Sequence, residues 1–265
     1  LGDRPAGAPA AKASPPVAAA TIAPPSRIKI IGIPLLADGV LLAIFAVLKA
    51  AKYFLPLDAS LPKSRLRYML DDSEAEILIT NNQFHSFARS ELAANTRVIN
   101  MDTLDATFGT ENLDLAIAPE DLSCVLYTSG TTGQPKGVLH THQNELHNVR
   151  HHTNSLHLGP EDRFTLLGSY STGQGMQDLY CALLNGAILF PWSLKVEGLS
   201  HLADWLISER ITVYHSAATV FRHFVRILSG KEQFPFLRIV RLGSEQVYWK
   251  DVNLFKKHFS NQCIF

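Results

Sequence analysis

Three features of the chain predict an α/β fold of largely parallel sheets flanked by helices. Short apolar runs rich in β-branched residues recur from residue 28 to the end, amphipathic stretches separate them, and the runs carry little polar alternation. Strands alternating with helices imply layered α/β units with parallel strands. Strands without alternation imply sheets covered on both faces. With 46% of 265 residues hydrophobic and 18% charged, the chain has core material for one large domain or two small ones.

Residues 1–26 are rich in Ala and Pro and show no hydrophobic period. Such a stretch cannot bury enough surface to offset its ordering entropy, so it reads as a flexible tail or linker ahead of a domain spanning 27–265. A strand is expected at 28–33. The apolar stretch 35–51 is short of the roughly 20 residues a membrane span needs and is broken by Asp38, Gly39 and Lys49. It is expected to be a core helix. Ser60 and Pro62 start the next helix, whose apolar face is Leu66, Met69 and Leu70. A strand at 77–79, a helix at 84–93 and a short strand at 97–100 follow. The acids of 101–121 have no helical register, so a solvated connector is expected there. Downstream the pattern predicts strands at 124–126, 138–140, 164–167, 187–190, 211–214 and 237–242, with another starting at 263. Helices are expected at 143–155, 176–184, 199–208, 219–228 and 247–259, with a polar loop at 169–175.

Function concentrates in 127–138, YTSGTTGQPKGV. Gly130, Gly133 and Gly137 permit positive φ and close backbone approach. Successive free N–H groups in such a loop form a nest for anions. The hydroxyls of Thr128, Ser129, Thr131 and Thr132 add donors that rotate to suit phosphate oxygens, and Lys136 adds a mobile positive charge. Together they describe a polyphosphate grip. The loop is not a Walker A motif, which needs four residues between its glycines and then Gly-Lys-Ser/Thr; only Thr131 and Thr132 separate Gly130 from Gly133 here.

This stretch resembles the phosphate-binding signature of the AMP-forming adenylate ligases, the superfamily of acyl-CoA synthetases, luciferases and nonribosomal peptide synthetase adenylation domains. The block 48–80 is similar to the peptide-synthetase branch, with Ala51 where that family usually has Gly. ALLNGAIL at 182–189 and Gly243-Ser244-Glu245 at a strand end are similar too. The resemblance covers 28–265 and implies the middle of the family's large domain, a piece of something longer and by itself inactive. It implies that ATP and a small carboxylic acid react to acyl-AMP and pyrophosphate. The acyl group would then pass to a thiol of CoA or of a pantetheinylated carrier protein. Thr128 to Gly133 would wrap the β- and γ-phosphates, with Lys136 as the catalytic cation. Gly243, Ser244 and Glu245 would form a wall of the adenine and acyl site. Mg2+ is implied, its ligand expected beyond Phe265. The aspartate that pairs with a substrate's amino group in the peptide-synthetase branch falls at Gly173. An ammonium would lose its counter-charge there, which favours an acid without that amine. Gly173, His215 and Ser216 are the expected substrate-pocket residues, the last two because ligands bind at the carboxyl ends of strands in open α/β sheets. A strand-end His215 bonded to backbone is the alternative. A truncated or degenerate nucleotide-binding module without catalysis is the rival function.

Formal net charge is zero, so nothing favours nucleic acid or an anionic membrane as partner. Three cysteines, Cys124, Cys181 and Cys263, have no metal spacing and imply buried free thiols in a cytoplasmic enzyme. His147 and His151 share a helix face, but without a third ligand no metal is expected there.

Overall fold

The computed structural model describes residues 37–92, 96–105, 107, 109–129 and 134–265. The expected tail and the strand at 28–33 lie outside them. The first helix, α1 (Ala37–Lys49), packs Val40, Ala43, Ile44 and Val47 into the core. It closes through the pairs Lys52 N–H to Val47 C=O and Ala51 N–H to Leu48 C=O. That pattern puts Ala51 in the left-handed region, with φ 53°, where glycine is usual. α2 (Lys63–Ser73) turns Leu66, Met69 and Leu70 inward, as the sequence predicts. β1 (Ile77–Thr80) pairs in parallel with β2 (Arg97–Asn100). The helix between them, α3 (Asn82–Phe87), runs on as one π-helical turn, Ala88–Leu92.

β3 (Leu122–Thr128) and β4 (Lys136–Thr141) pair antiparallel. This is the exception to the parallel expectation. The segment 129–135 is long enough for a hairpin, whereas a parallel return needs a crossover of a dozen residues or more. The hairpin leads into α4 (His142–Leu156), opened by Thr141, whose side chain accepts from the Asn144 N–H while Asn144 bonds back.

The remaining strands form one parallel sheet in the order β6-β5-β7-β8, made of β5 (Arg163–Leu166), β6 (Ile188–Pro191), β7 (Val213–Ala217) and β8 (Ile239–Gly243). Ile264 makes an isolated parallel bridge to Ile239 where a strand is expected to start at 263. One face carries Phe164, Val213 and Ile239 against α1, α4 and α5 (Gly173–Leu183). The other carries Tyr214 and Val240 against α6 (Leu202–Ser208), α7 (Ala218–Ile227) and α8 (Trp249–His258). Helices on both faces explain why the strands lack alternation.

The amino ends of this sheet are bolted by Asp162. Its carboxylate accepts from Arg238 Nε and Nη2 at 2.8 and 2.6 Å, from Thr212 Oγ1 at 2.7 Å and from the Gly159 N–H at 3.0 Å. The bolt joins the leads into β5, β7 and β8 and leaves the carboxyl ends free for a site.

Candidate functional site

The hairpin β3–β4 places Thr128 opposite Lys136 as Cα partners. Thr128, Ser129 and Lys136 are all exposed, and no acid pairs with Lys136 among the described residues. Gly130, Thr131, Thr132 and Gly133 lie outside the described residues. The frame under the loop is rigid for local reasons. Tyr127 faces Gly137 across the ladder, and a Cβ on Gly137 would come within 3.2 Å of the Tyr127 ring and 3.1 Å of Val125. A side chain there would have to push that ring aside by a few tenths of an ångström. The Tyr127 hydroxyl donates to Asp72 Oδ2 at 2.6 Å, tying the strand end to α2. Burial and that carboxylate push its ionisation up, so the hydroxyl stays a donor.

At the carboxyl ends of the large sheet, α5 begins at Gly173, ahead of the expected 176. Thr172 caps it by accepting from the Gly175 N–H. A Cβ on Gly175 would sit 2.2 Å from the Ser169 carbonyl oxygen, so glycine there lets the first turn rest on the preceding loop. Gly173 therefore stands in a helical turn, not in the expected loop, and nothing lies within 4 Å of where its Cβ would point. Ser244, held at φ 62° just past β8, donates to Gln174 Oε1 at 2.9 Å. This contact joins the Gly173 turn to the Gly243-Ser244-Glu245 turn. Backbone of this strained kind concentrates at functional sites. The Glu245 carboxylate accepts from the Thr219 N–H at 2.8 Å and hydroxyl at 2.6 Å, at the start of α7. Those two bonds hold its ionisation below the usual carboxylate range.

His215 and Ser216 lie inside β7, not beyond its end, and alternation sends them to opposite faces. Ser216 shares the face of Tyr214, under α7, and its hydroxyl donates to the Ala217 carbonyl. It is buried, on the opposite face of the sheet from His215. His215 is on the site face. Its Nε2 is 3.0 Å from where a Cβ on Gly243 would stand, and its Nδ1 is 2.6 Å from Asp178 Oδ1. The expected bond from its ring to backbone is replaced by this buried hydrogen-bonded pair, side chains 4% and 1% exposed. Burial pushes the Asp178 carboxyl up, against the pull of His215 and Arg241.

Around the pair is a polar layer that sequence reading missed. Arg241 Nη2 donates to Gln177 Oε1 at 2.9 Å, and Gln177 Nε2 donates to Asn148 Oδ1 at 2.9 Å and meets His152 Nε2 at 3.1 Å. The signal was present: Gly175, Asp178 and Ala182 are three and four apart, so an acid stands on the inward stripe of α5.

Comparison with known proteins supplies the family. The family model for AMP-binding enzymes matches residues 39–264. The chain belongs to the AMP-binding enzyme family. Among curated relatives, this chain is 32% identical over 206 residues to tyrocidine synthase 2 of Brevibacillus parabrevis, covering 77% of the chain and 6% of that protein. It thus spans a small fraction of the length of the relative. In fold it is similar to the nonribosomal peptide synthetase FmoA3 in its AMPPNP-bound form, with TM-score 0.79, 21% identity, and coverage of 90% of this chain and 25% of that one. It is likewise similar to the Klebsiella oxytoca NpsA N-terminal subdomain, with TM-score 0.76, 20% identity, and coverage of 90% and 59%. The chain thus has the α/β fold of adenylation large domains. No described helix is long and apolar enough to cross a membrane; α1, the stretch weighed for that role, is a core helix.

Proposed function

We propose that this chain grips ATP for an enzyme that activates a carboxylic acid. The acid's carboxylate attacks the α-phosphate, pyrophosphate leaves, and acyl-AMP remains. The observation that carries the reading is the Thr128–Lys136 register, which sets two exposed hydroxyls and an ammonium without an acidic partner among the described residues at one hairpin end. Phosphoryl chemistry depends on such positioning and charge neutralisation. Thr128, Ser129 and the loop through Gly133 hold the β- and γ-phosphates, and Lys136 neutralises the departing pyrophosphate. Gly243 lets the His215 ring pack against the backbone, its Nε2 3.0 Å from where a Cβ would stand; with Ser244 and Glu245 it walls the adenine and acyl site. FmoA3 with AMPPNP and NpsA with 3-hydroxybenzoyl-AMSN support both halves of the assignment.

The acid is one without an α-ammonium. Gly173 offers no carboxylate, and Asp178, the sole acid of α5, is turned inward to His215. Transfer then goes to a thiol of CoA or a carrier-protein pantetheine, in the cytoplasm. Magnesium accompanies the triphosphate in such chemistry.

The test is pyrophosphate exchange by the full-length gene product with a panel of carboxylic acids. Lys136→Ala is expected to lower exchange by about 100-fold, the order seen when one charge-stabilising donor is removed. Unchanged exchange removes Lys136 from the mechanism, and no exchange with any acid overturns the reading.

A further inference from the structure

Three side chains that adenylation leaves unused meet at the base of the phosphate hairpin. Cys124 in β3 is the Cα partner of His140 in β4, so their side chains leave the ladder on one face. Glu145, in the first turn of α4, closes the group. Its Oε1 is 2.7 Å from His140 Nδ1 and 3.7 Å from Cys124 Sγ. The candidate ligand atoms of all three lie within 4.8 Å of one another, and no other such group of three exists among the described residues. The cluster is sheltered, with Cys124 fully buried and the Glu145 side chain 12% exposed.

A carboxylate in such a place is costly unless a charge answers it. Among the described residues no Lys or Arg pairs with Glu145; a thiol and an imidazole are its partners. The Tyr180 hydroxyl, in the same core cluster as Cys124, is buried without a hydrogen-bond partner. The region therefore holds more polar capacity than its own contacts satisfy.

We propose that Cys124, His140 and Glu145 bind a zinc-type divalent cation. Sulfur, imidazole and carboxylate are the donor types zinc takes, and three protein ligands leave a fourth position for water. Softer thiolate with imidazole disfavours magnesium and calcium, which take oxygen ligands. On binding, the thiol proton leaves to solvent as the sulfur–metal bond forms, and the proton between His140 and Glu145 leaves with it; no electron moves. Four steps along each strand separate this cluster from Thr128 and Lys136, roughly 13 Å at strand rise. The ion would not touch the nucleotide. It would clamp β3, β4 and α4 together beneath the phosphate loop.

The probe is cobalt(II), then zinc, added to the chelator-stripped full chain. The expected result is about one equivalent of cobalt with a thiolate-to-metal charge-transfer band, bleached by zinc, and a rise in melting temperature with zinc. Cys124→Ser abolishes the band and Glu145→Gln weakens binding at least tenfold. Cys181→Ala and the double change His147→Ala/His151→Ala leave both unchanged. If Cys124→Ser fails to fold, Glu145→Gln and His140→Gln carry the test. A folded chain that takes up no cobalt overturns the proposal, leaving a hydrogen-bonded trio alone. So does a band that survives Cys124→Ser.

Discussion

Replacing Asp178 by alanine tests whether the buried pair with His215 holds the site together. The change leaves the His215 Nδ1–H facing an empty, enclosed space, because both side chains are almost wholly buried. Breaking a buried ion pair by removing one partner costs about 3–5 kcal/mol. Here the low end applies. Asp178 Oδ2 has no partner among the described residues, so only half of the carboxylate is used, and burial already weighs against its charge. A loss of about 3 kcal/mol in a chain of this size lowers the melting temperature by roughly 6–12 °C. Asp178→Asn keeps an acceptor for Nδ1–H and forfeits only charge assistance, about 1 kcal/mol. Urea unfolding of the three proteins reads both numbers. If the two variants cost the same and both stay under about 0.5 kcal/mol, the range of an ordinary surface change, the pair does not hold this layer. The functional corollary is that His215 Nε2 lies under Gly243, so the alanine variant also raises KM for nucleotide in the full-length product.

Ala51→Gly relieves a left-handed alanine and is expected to stabilise by about 1 kcal/mol, read from the urea midpoint; a loss would mean that the helix end is not strained. Gly173→Asp meets no atom within 4 Å and adds an acid to the first turn of α5, so the chain should keep its melting temperature; in the full-length product exchange should shift toward α-amino acids, and an unchanged acid preference would remove Gly173 from the pocket. Asp162 sets an acid limb. Burial alone would raise its carboxyl, but Arg238, Thr212 and the Gly159 amide outweigh burial and hold it below its ordinary 3.8. A depressed carboxyl gives stability that is present above pH 3.8 and lost as pH falls through the lower folded value. Asp162→Asn should therefore flatten the fall in urea midpoint below that pH, and an equally steep fall would assign acid unfolding to other groups.

Sequence alone determined the order of the described strands and helices and the covered faces of the large sheet. These are local properties: a β-branched run and a helical period each report on neighbours a few positions away. Where a boundary moved, a local contact moved it. Thr172 and Gly175 start α5 early, and β7 runs on to Ala217 because β8 pairs with it that far. Tertiary structure decided what local pattern cannot hold. Asp178 finds His215 across 37 residues, Ser244 finds Gln174 across 70, and Cys124, His140 and Glu145 meet from two strands and a helix. Such meetings depend on strand register and on which way each helix is rolled. A slip of one residue would send His215 to the face where Ser216 now lies, with no change in composition or period.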